Sequence, residues 1–141
     1  MAHEEARITI DRPVDVVFNF LADGMNNPRW RTSVTDSQPV PGRPGTYKQG
    51  MKGPGGRVDG DYEITELKAN ESISIRAIAG MVRPTAKFLV EARGDSTVVT
   101  WILHFEGKGP AKLMDPLVTQ VMRQEMSMLP NLKACLEAQA T

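Results

Sequence analysis

The chain has 141 residues, with 17 Lys plus Arg against 17 Asp plus Glu and 40% apolar side chains. This length suits one hydrophobic core and is too short for two, so we expect a single domain over residues 1–141. The balanced charge excludes a broad basic surface and, with it, the binding of nucleic acid or of an anionic membrane through bulk charge.

The start of the chain predicts one strand followed by two short helices. Residues 6–10 alternate between apolar and polar side chains, which is the pattern of a short half-buried strand. Pro13 suits the first turn of a helix, because a backbone N–H at that position has no hydrogen-bond acceptor within the helix. Apolar residues then recur at helical spacing as far as Leu21, and Asp23-Gly24 ends the run. Trp30 belongs to a second, shorter helix and anchors it to the sheet.

From Ser33 onward, strands separated by Gly- and Pro-rich turns replace the helical period. Alternating side chains between these turns predict six more strands, over residues 34–40, 46–51, 57–67, 72–79, 85–92 and 97–106.

Residues 109–140 predict one long amphipathic helix. Its apolar side carries Met114, Leu117, Val118, Val121, Leu129, Leu132 and Leu136. We expect that side to be buried against the strands, and we expect Pro130, on the outer side, to bend the helix axis. The order of elements is typical of an α+β domain in which an antiparallel sheet wraps around a helix.

This order resembles the START/Bet v 1-like (SRPBCC) superfamily and, within it, the polyketide cyclase/dehydrase and lipid-transport group. The segments that carry the resemblance are residues 8–18 (ITIDRPVDVVF), 23–30, the glycine-bounded strand from Gly56, 97–106 (TVVTWILHFE) and 132–137 (LKACLE). The resemblance implies a helix-grip fold, in which a curved seven-stranded antiparallel sheet grips a long C-terminal helix. Two short helices follow the first strand in that fold, and an apolar cavity lies between the sheet and the long helix.

The resemblance also implies which side chains face that cavity. On the sheet they are Val58, Tyr62, Ile64, Ile73, Ile75, Phe88, Val90, Val99, Trp101, Leu103 and Phe105. On the long helix they are Met114, Leu117, Val118 and Val121. Residues 53–56 form a Gly-rich loop that would lie at the mouth of the cavity and, together with residues 80–84, control entry.

Glu125 lies in the middle of the apolar side of the predicted helix, between Val121 and Leu129. A buried carboxylate without a partner is costly, so we expect it to be paired, protonated or wetted by a cavity. One hypothesis makes Glu125 a ligand-binding group or a general acid or base inside the pocket. The alternative, an ion pair with an arginine or a contact with a tyrosine, is the commoner case. Tyr62 and Trp101 either offer a hydroxyl and an indole N–H to a ligand or serve in packing.

Three functions fit the predicted fold and its candidate site residues. The first is the binding, with transport or sequestration, of a small hydrophobic ligand such as a lipid, a polyketide or an aromatic metabolite. The second is a cofactor-independent cyclase, aromatase or dehydratase, with Glu125 and Tyr62 as the candidates for proton transfer. The third is an interaction module whose cavity has collapsed. The chain shows no metal-ligand spacing and no phosphate-binding glycine motif, so we expect neither a metal nor a cofactor.

The chain shows no stretch close to the roughly 20 apolar residues that a membrane span requires, and its charged start differs from a signal peptide. Its single cysteine, Cys135, excludes an internal disulfide and fits a reducing compartment. We therefore predict a cytoplasmic protein without stable membrane insertion, present as a monomer or a homodimer.

Overall fold

The computed structural model describes residues 1–80 and 82–139, and its centre is a curled antiparallel sheet. The strands are β1 Ala2–Ile10, β2 Val34–Pro39, β3 Thr46–Gly53, β4 Gly56–Asp59, β5 Tyr62–Lys68, β6 Ser72–Ala77, β7 Thr85–Arg93 and β8 Ser96–Phe105. Seven of them are hydrogen-bonded in the order β1-β8-β7-β6-β5-β3-β2, and β4 pairs with β3 off this path. The predicted α+β class and helix-grip architecture are confirmed.

The helices follow the first strand and close the chain. They are α1 Val14–Ala22 and α2 Asn27–Trp30, then α3 Asp115–Met126 and α4 Leu129–Ala138, with 3₁₀ turns at Gly24–Asn26 and Gly109–Met114. Pro13 stands immediately before α1, and Asp15 lies in its first turn, where its charge favours the helix dipole. The two predicted short helices after β1 are therefore confirmed.

The predicted long C-terminal helix is confirmed over residues 109–138, and it is interrupted once, between α3 and α4. Ser127 and Met128 separate α3 from α4, and Pro130 lies in the first turn of α4. Proline has no N–H to donate to the carbonyl of Met126, and its ring would clash with that carbonyl, so a helix cannot continue unbroken through this position. The interruption therefore precedes Pro130, instead of falling within a continuous helix. Ala140, the last residue of the predicted helix, lies outside the described residues.

The strand predicted over residues 57–67 is also divided, because Gly60 and Asp61 separate β4 from β5. The Gly60 N–H donates to the carbonyl of Gln49 at 2.7 Å, and a Cβ on Gly60 would lie 2.7 Å from the Met51 side chain. A larger residue at this position would therefore require the Met51 side chain to move. β4 pairs with β3 alone, and Val58 is 46% exposed. Its register partner Met51 shares a face with Gln49 and Tyr47 by alternation, so the expectation that Val58 faces inward stays a prediction.

The face of the sheet that packs against the helices, here the inner face, carries the core. At its centre is an aromatic cluster of Trp30, Phe88 and Trp101. Phe88 stacks on Trp101 with 5.4 Å between ring centroids, and the Trp30 ring meets Trp101 edge-on at 5.1 Å. Trp30 therefore anchors α2 to the sheet, as its position predicted. The buried residues of α4 that join this core are Leu129, Leu132 and Leu136.

Candidate functional site

Helix α3 covers only one side of the inner face, because it packs on β1 and β8. Arg123 donates to the Glu4 carboxylate of β1 at 2.8 Å, and the terminal ammonium of Met1 pairs with Asp115. One flank of α3 is thus held along β1. The residues of α3 buried against the sheet are Val118, Met122 and Glu125.

The opposite flank of α3 is apolar and exposed. At about 100° per residue, Leu117 and Val121 lie on the side of the helix away from Asp115 and Arg123. Leu117 is 58% exposed and Val121 is 47% exposed. The expectation that both are buried against the sheet is wrong, because α3 leans on β1 and β8 rather than crossing β5 and β6. Their contact with a ligand stays a prediction.

Two sheet residues of the predicted site are partly buried, Ile64 of β5 and Ile75 of β6, and they are register partners. That Leu117 and Val121 line a cleft together with Ile64 and Ile75 stays a prediction. We call this predicted site the α3 cleft and define it by these four residues.

Two concavities, of about 410 and 270 Å³, lie along the sheet, and Ile75 lines the larger one and Ile64 the smaller. That a cavity lies between the sheet and the C-terminal segment stays a prediction. The larger one is lined by Arg76, Lys87 and His104 among others, on the outer face of the sheet, and the smaller one lies beside β5. Neither of these two is lined by a residue of α3 or α4.

The other predicted site residues occupy the inner face or its immediate surroundings. The buried ones are Tyr62, Phe88, Val90, Trp101, Leu103, Val118 and Glu125. The partly buried ones are Ile64, Ile75 and Met114. The structure therefore brings most of the predicted set together on one face and leaves Val58, Leu117 and Val121 exposed.

Glu125 is buried and paired, which confirms the commoner of the two readings of this residue. The Arg31 Nε donates to Oε2 of Glu125 at 3.1 Å, and the Ser33 hydroxyl donates to Oε1 at 2.6 Å. The Arg31 guanidinium also lies over the Trp101 ring, with its central carbon 5.4 Å from the ring centroid. Arg31 and Ser33 belong to the short segment between α2 and β2, where no periodic pattern marked them.

The side chains of Arg31, Ser33, Glu125 and Trp101 together have more hydrogen-bond donors than acceptors. The hydrogen bonds of the Arg31 side chain to the described residues run from Nε alone, and this side chain is 16% exposed. Trp101 is 1% exposed, and its indole Nε1 has no hydrogen-bond partner within residues 1–80 and 82–139. A buried donor without an acceptor is costly and rare, so its position calls for an explanation.

Tyr62 belongs to a second polar group on the inner face, beside α2. The Asn27 amide donates to the Tyr62 hydroxyl at 2.9 Å and to Gln49 Oε1 at 2.8 Å. The Tyr62 ring stacks on Tyr47 with 5.2 Å between centroids. A Cβ on Gly24 would lie 2.1 Å from the Tyr62 hydroxyl, so only glycine fits beside it. Sequence patterns marked Tyr62 but none of these neighbours.

Burial raises the pKa of the Tyr62 hydroxyl to about 12, although the hydrogen bond from Asn27 and the positive charge of Arg31 oppose the shift. The hydroxyl is therefore protonated at neutral pH. It can donate a hydrogen bond, but it is not available as a base.

We expect this pKa to appear in an alkaline titration. The chain has two tyrosines, so Tyr47→Phe leaves Tyr62 as the sole source of tyrosinate absorbance. The midpoint should lie near 12 in the folded protein and near 10 in urea. The pKa of Tyr62 is higher in the folded state than in the unfolded state. Burial of the neutral hydroxyl therefore contributes fully to the free energy of unfolding below about pH 10, and this contribution is lost as the pH rises towards 12. A folded midpoint near 10 would contradict the buried position of Tyr62.

Metal-ligand clusters and membrane-spanning helices are both absent from the part of the chain that the structure describes. Within residues 1–80 and 82–139, no three His, Cys, Asp or Glu side chains come together as ligands for a metal ion. None of the helices over the same residues is long and apolar enough to span a bilayer. Cys135 is a free, half-buried thiol.

Solved structures with the same fold are similar to this chain at low sequence identity. A START superfamily protein from Mycobacterium smegmatis superposes with a TM-score of 0.81 at 17% identity, over 100% of both chains. TTHA0849 from Thermus thermophilus gives a TM-score of 0.80 at 18% identity, over 99% of each chain. The di-domain ARO/CYC BexL of the BE-7585A biosynthetic pathway gives 0.73 at 20% identity, over 97% of this chain and 47% of that one.

A comparison with curated protein sequences finds no match. A family model, in contrast, matches residues 1–135, which is nearly the whole chain. Its description is polyketide cyclase/dehydrase and lipid transport. The sequence match and the START-like fold agree, and the chain belongs to the polyketide cyclase/dehydrase and lipid transport family.

Proposed function

We propose that this protein binds a small hydrophobic ligand, such as a lipid, a polyketide or an aromatic metabolite, in the α3 cleft. The observation that carries the proposal is the exposed apolar flank of α3, where Leu117 is 58% and Val121 is 47% exposed. Apolar surface is worth about 25 cal/mol for each Å² removed from water, so binding of a ligand that covers both side chains is favourable. A contiguous exposed apolar surface of this kind is typical of a binding site.

The division of the C-terminal segment supports the proposal. α4 is fixed in the core, because Leu129, Leu132 and Leu136 are fully buried. α3 is tied to the start of the chain by two surface pairs, Arg123–Glu4 and Met1–Asp115, and Val118, Met122 and Glu125 are its buried residues. The break at residues 127–128 lets α3 change its angle without disturbing α4. α3 would then close over a bound ligand and bury Leu117 and Val121.

The cyclase, aromatase or dehydratase alternative depends on Glu125 and Tyr62 and has less support. Both carboxylate oxygens of Glu125 accept hydrogen bonds, from Arg31 and from Ser33. The Tyr62 hydroxyl stays protonated far above neutral pH, because its pKa is about 12. Neither group is a free base, so binding is the better supported function, and the likeness to an aromatase/cyclase such as BexL adds only the fold.

The interaction-module alternative draws on the aromatic cluster, which fills one end of the inner face. It predicts that the α3 cleft takes no small molecule.

A cytoplasmic location is part of the proposed function, and the free thiol of Cys135 supports a reducing compartment.

The proposal is tested with the neutral fluorescent probe N-phenyl-1-naphthylamine. We expect the wild type to bind the probe, and Leu117→Gln/Val121→Gln to bind it at least about tenfold more weakly, because two apolar contacts are lost. Glutamine is a good helix former, so α3 should persist in the variant. Fluorescence titration gives both dissociation constants, and native mass spectrometry of protein purified from its host tests for a co-purified ligand.

The matched control is Leu89→Gln, which places the same side chain on the outer face of β7. It should bind the probe as the wild type does. Equal binding by the double variant and the wild type, or no binding by either, would be evidence against the α3 cleft.

A further inference from the structure

The two histidines of the chain lie side by side on the outer face of the sheet. They are His3 of β1 and His104 of β8, which are 101 residues apart in the sequence. The antiparallel pairing of β1 with β8 makes them direct register partners. Register partners in an antiparallel sheet have Cβ atoms about 4.5–5.5 Å apart, so their side chains are in reach of each other. We call these two residues the histidine pair.

The ring nitrogens of the histidine pair converge. The two Nδ1 atoms are 3.3 Å apart, whereas the ring centroids are 5.5 Å apart and the ring planes meet at 69°. The nitrogen edges of the rings therefore approach each other, and the ring faces do not stack. Only one proton fits between two Nδ1 atoms, and hydrogen bonds from N–H are usually shorter, at about 2.9–3.0 Å between heavy atoms.

The separation of the two nitrogens matches that of two ligands on one metal ion. Zinc–imidazole bonds of about 2.0–2.1 Å at a tetrahedral angle place neighbouring ligand atoms about 3.3–3.4 Å apart. Imidazole nitrogen is a preferred ligand of Zn²⁺, Cu²⁺ and Ni²⁺. There is also room for further ligands, because His3 is exposed and His104 lines the concavity of about 410 Å³ on the outer face.

The backbone that carries the histidine pair is held in the core. Ala2, next to His3, is 1% exposed, and its register partner Phe105, next to His104, is 7% exposed. Both imidazoles therefore stand on strands whose opposite side is packed, instead of on a loop. Such positions hold ligand atoms in place before a metal ion arrives.

The charges around the histidine pair do not oppose a cation. In the neighbouring row of the sheet, Glu5 of β1 and Lys87 of β7 are both register partners of Ile102, so an acid and a base flank that residue. Further along the row of the histidine pair, Arg76 forms an ion pair with Glu63. The nearby charged side chains therefore offset one another.

We propose that His3 and His104 together bind one divalent transition-metal ion, such as Zn²⁺, through their Nδ1 atoms. The described residues include no group of three His, Cys, Asp or Glu side chains placed to hold a metal ion, so water completes the coordination. The ion ties β1, at one end of the strand order, to its neighbour β8. The sequence predicted no metal because spacing rules relate ligands that are near in the chain, whereas strand register brings these two together.

Isothermal titration with Zn²⁺ tests the proposal on protein stripped with a chelator and prepared without a histidine tag. We expect the wild type to bind one ion per chain. His3→Gln and His104→Gln should each bind it at least about tenfold more weakly, because two linked ligands bind far more tightly than either alone. The matched control is Thr9→Gln, which places the same side chain at an exposed position on the same face of β1 and should bind as the wild type does.

Nuclear magnetic resonance of the wild type provides a second measurement that needs no variant. The chain has only two histidines, so two sets of imidazole signals report on the site. Both should shift together during the Zn²⁺ titration and give the same dissociation constant. Urea denaturation should also show that Zn²⁺ stabilises the wild type and has no such effect on either histidine variant.

The opposing outcomes are distinct. Binding by His104→Gln or His3→Gln as tight as that by the wild type overturns the proposal, as does a shift of one histidine alone or the absence of Zn²⁺ binding. None of these outcomes bears on the proposed function, because the histidine pair lies on the opposite face of the sheet from α3.

Discussion

Trp101→Ala is expected to lower the free energy of unfolding by about 4 kcal/mol. The Trp101 side chain is almost fully buried, and it contacts Phe88 at 5.4 Å and Trp30 at 5.1 Å between ring centroids. Replacing the indole by a methyl group leaves a cavity that the sheet cannot collapse to fill, and it removes two aromatic contacts. The loss also removes the surface on which the Arg31 guanidinium lies.

Urea denaturation followed by far-ultraviolet circular dichroism measures this change. Leu89→Ala is the control, since Leu89 lies on the next strand but on the outer face, and its loss should be about 1 kcal/mol or less. A loss for Trp101→Ala as small as that of the control would mean that the aromatic cluster does not hold this end of the inner face.

Glu125→Leu is expected to lower the free energy of unfolding by about 3 kcal/mol. The substitution adds apolar volume to an apolar surface, so a simple hydrophobic account predicts a gain in stability. The ion pair reverses that expectation, because the mostly buried Arg31 is left without its carboxylate, and Ser33 loses its acceptor. Urea denaturation again provides the measurement.

The pair on the outer face offers a direct comparison. Glu63→Leu breaks the ion pair with Arg76, whose side chain is 59% exposed, and should cost less than about 1 kcal/mol because water replaces the carboxylate. Arg31→Met/Glu125→Leu should cost less than Glu125→Leu alone, since no unpaired charge remains. Equal losses for Glu125→Leu and Glu63→Leu, or additive losses in the double variant, would disagree with a buried, coupled pair.

These expectations give Glu125 a structural role beside the cleft rather than a catalytic one. It ties the end of α3 to the segment between α2 and β2, through Arg31 and Ser33. The part of α3 before Glu125, which carries Leu117 and Val121, has no comparable buried tie to that segment among the described residues. Motion of α3 over a ligand would therefore pivot near Glu125 and the break.

Local sequence patterns were sufficient for the architecture. Strict alternation along β8 put Trp101 and Leu103 on one face and His104 on the other, because successive side chains of a strand point to opposite sides. Glu125 was placed on the buried side of its helix for the same kind of reason, since residues at helical spacing share one side. The turn residues separated the predicted strands, and the order of elements predicted the α+β class.

Two details required contacts that are distant in the chain. Gly60 and Asp61 divide a sequence that alternates without interruption, and the division appears only in the pairing with β3, where β4 pairs with residues 50–53 and β5 with residues 46–47. Arg31 lies 94 residues before its partner Glu125, and no spacing rule relates two such positions.

The sequence by itself determined the sheet, the two short helices and the apolar character of one side of the C-terminal segment. Only the tertiary structure decided which part of that apolar side is covered. Leu117 and Val121 belong to the same stripe as the buried Val118, yet α3 leans on β1 and β8 and leaves them exposed. Amphipathic spacing reports that a surface is apolar, whereas the angle at which a helix docks is set by contacts with partners far away in the chain.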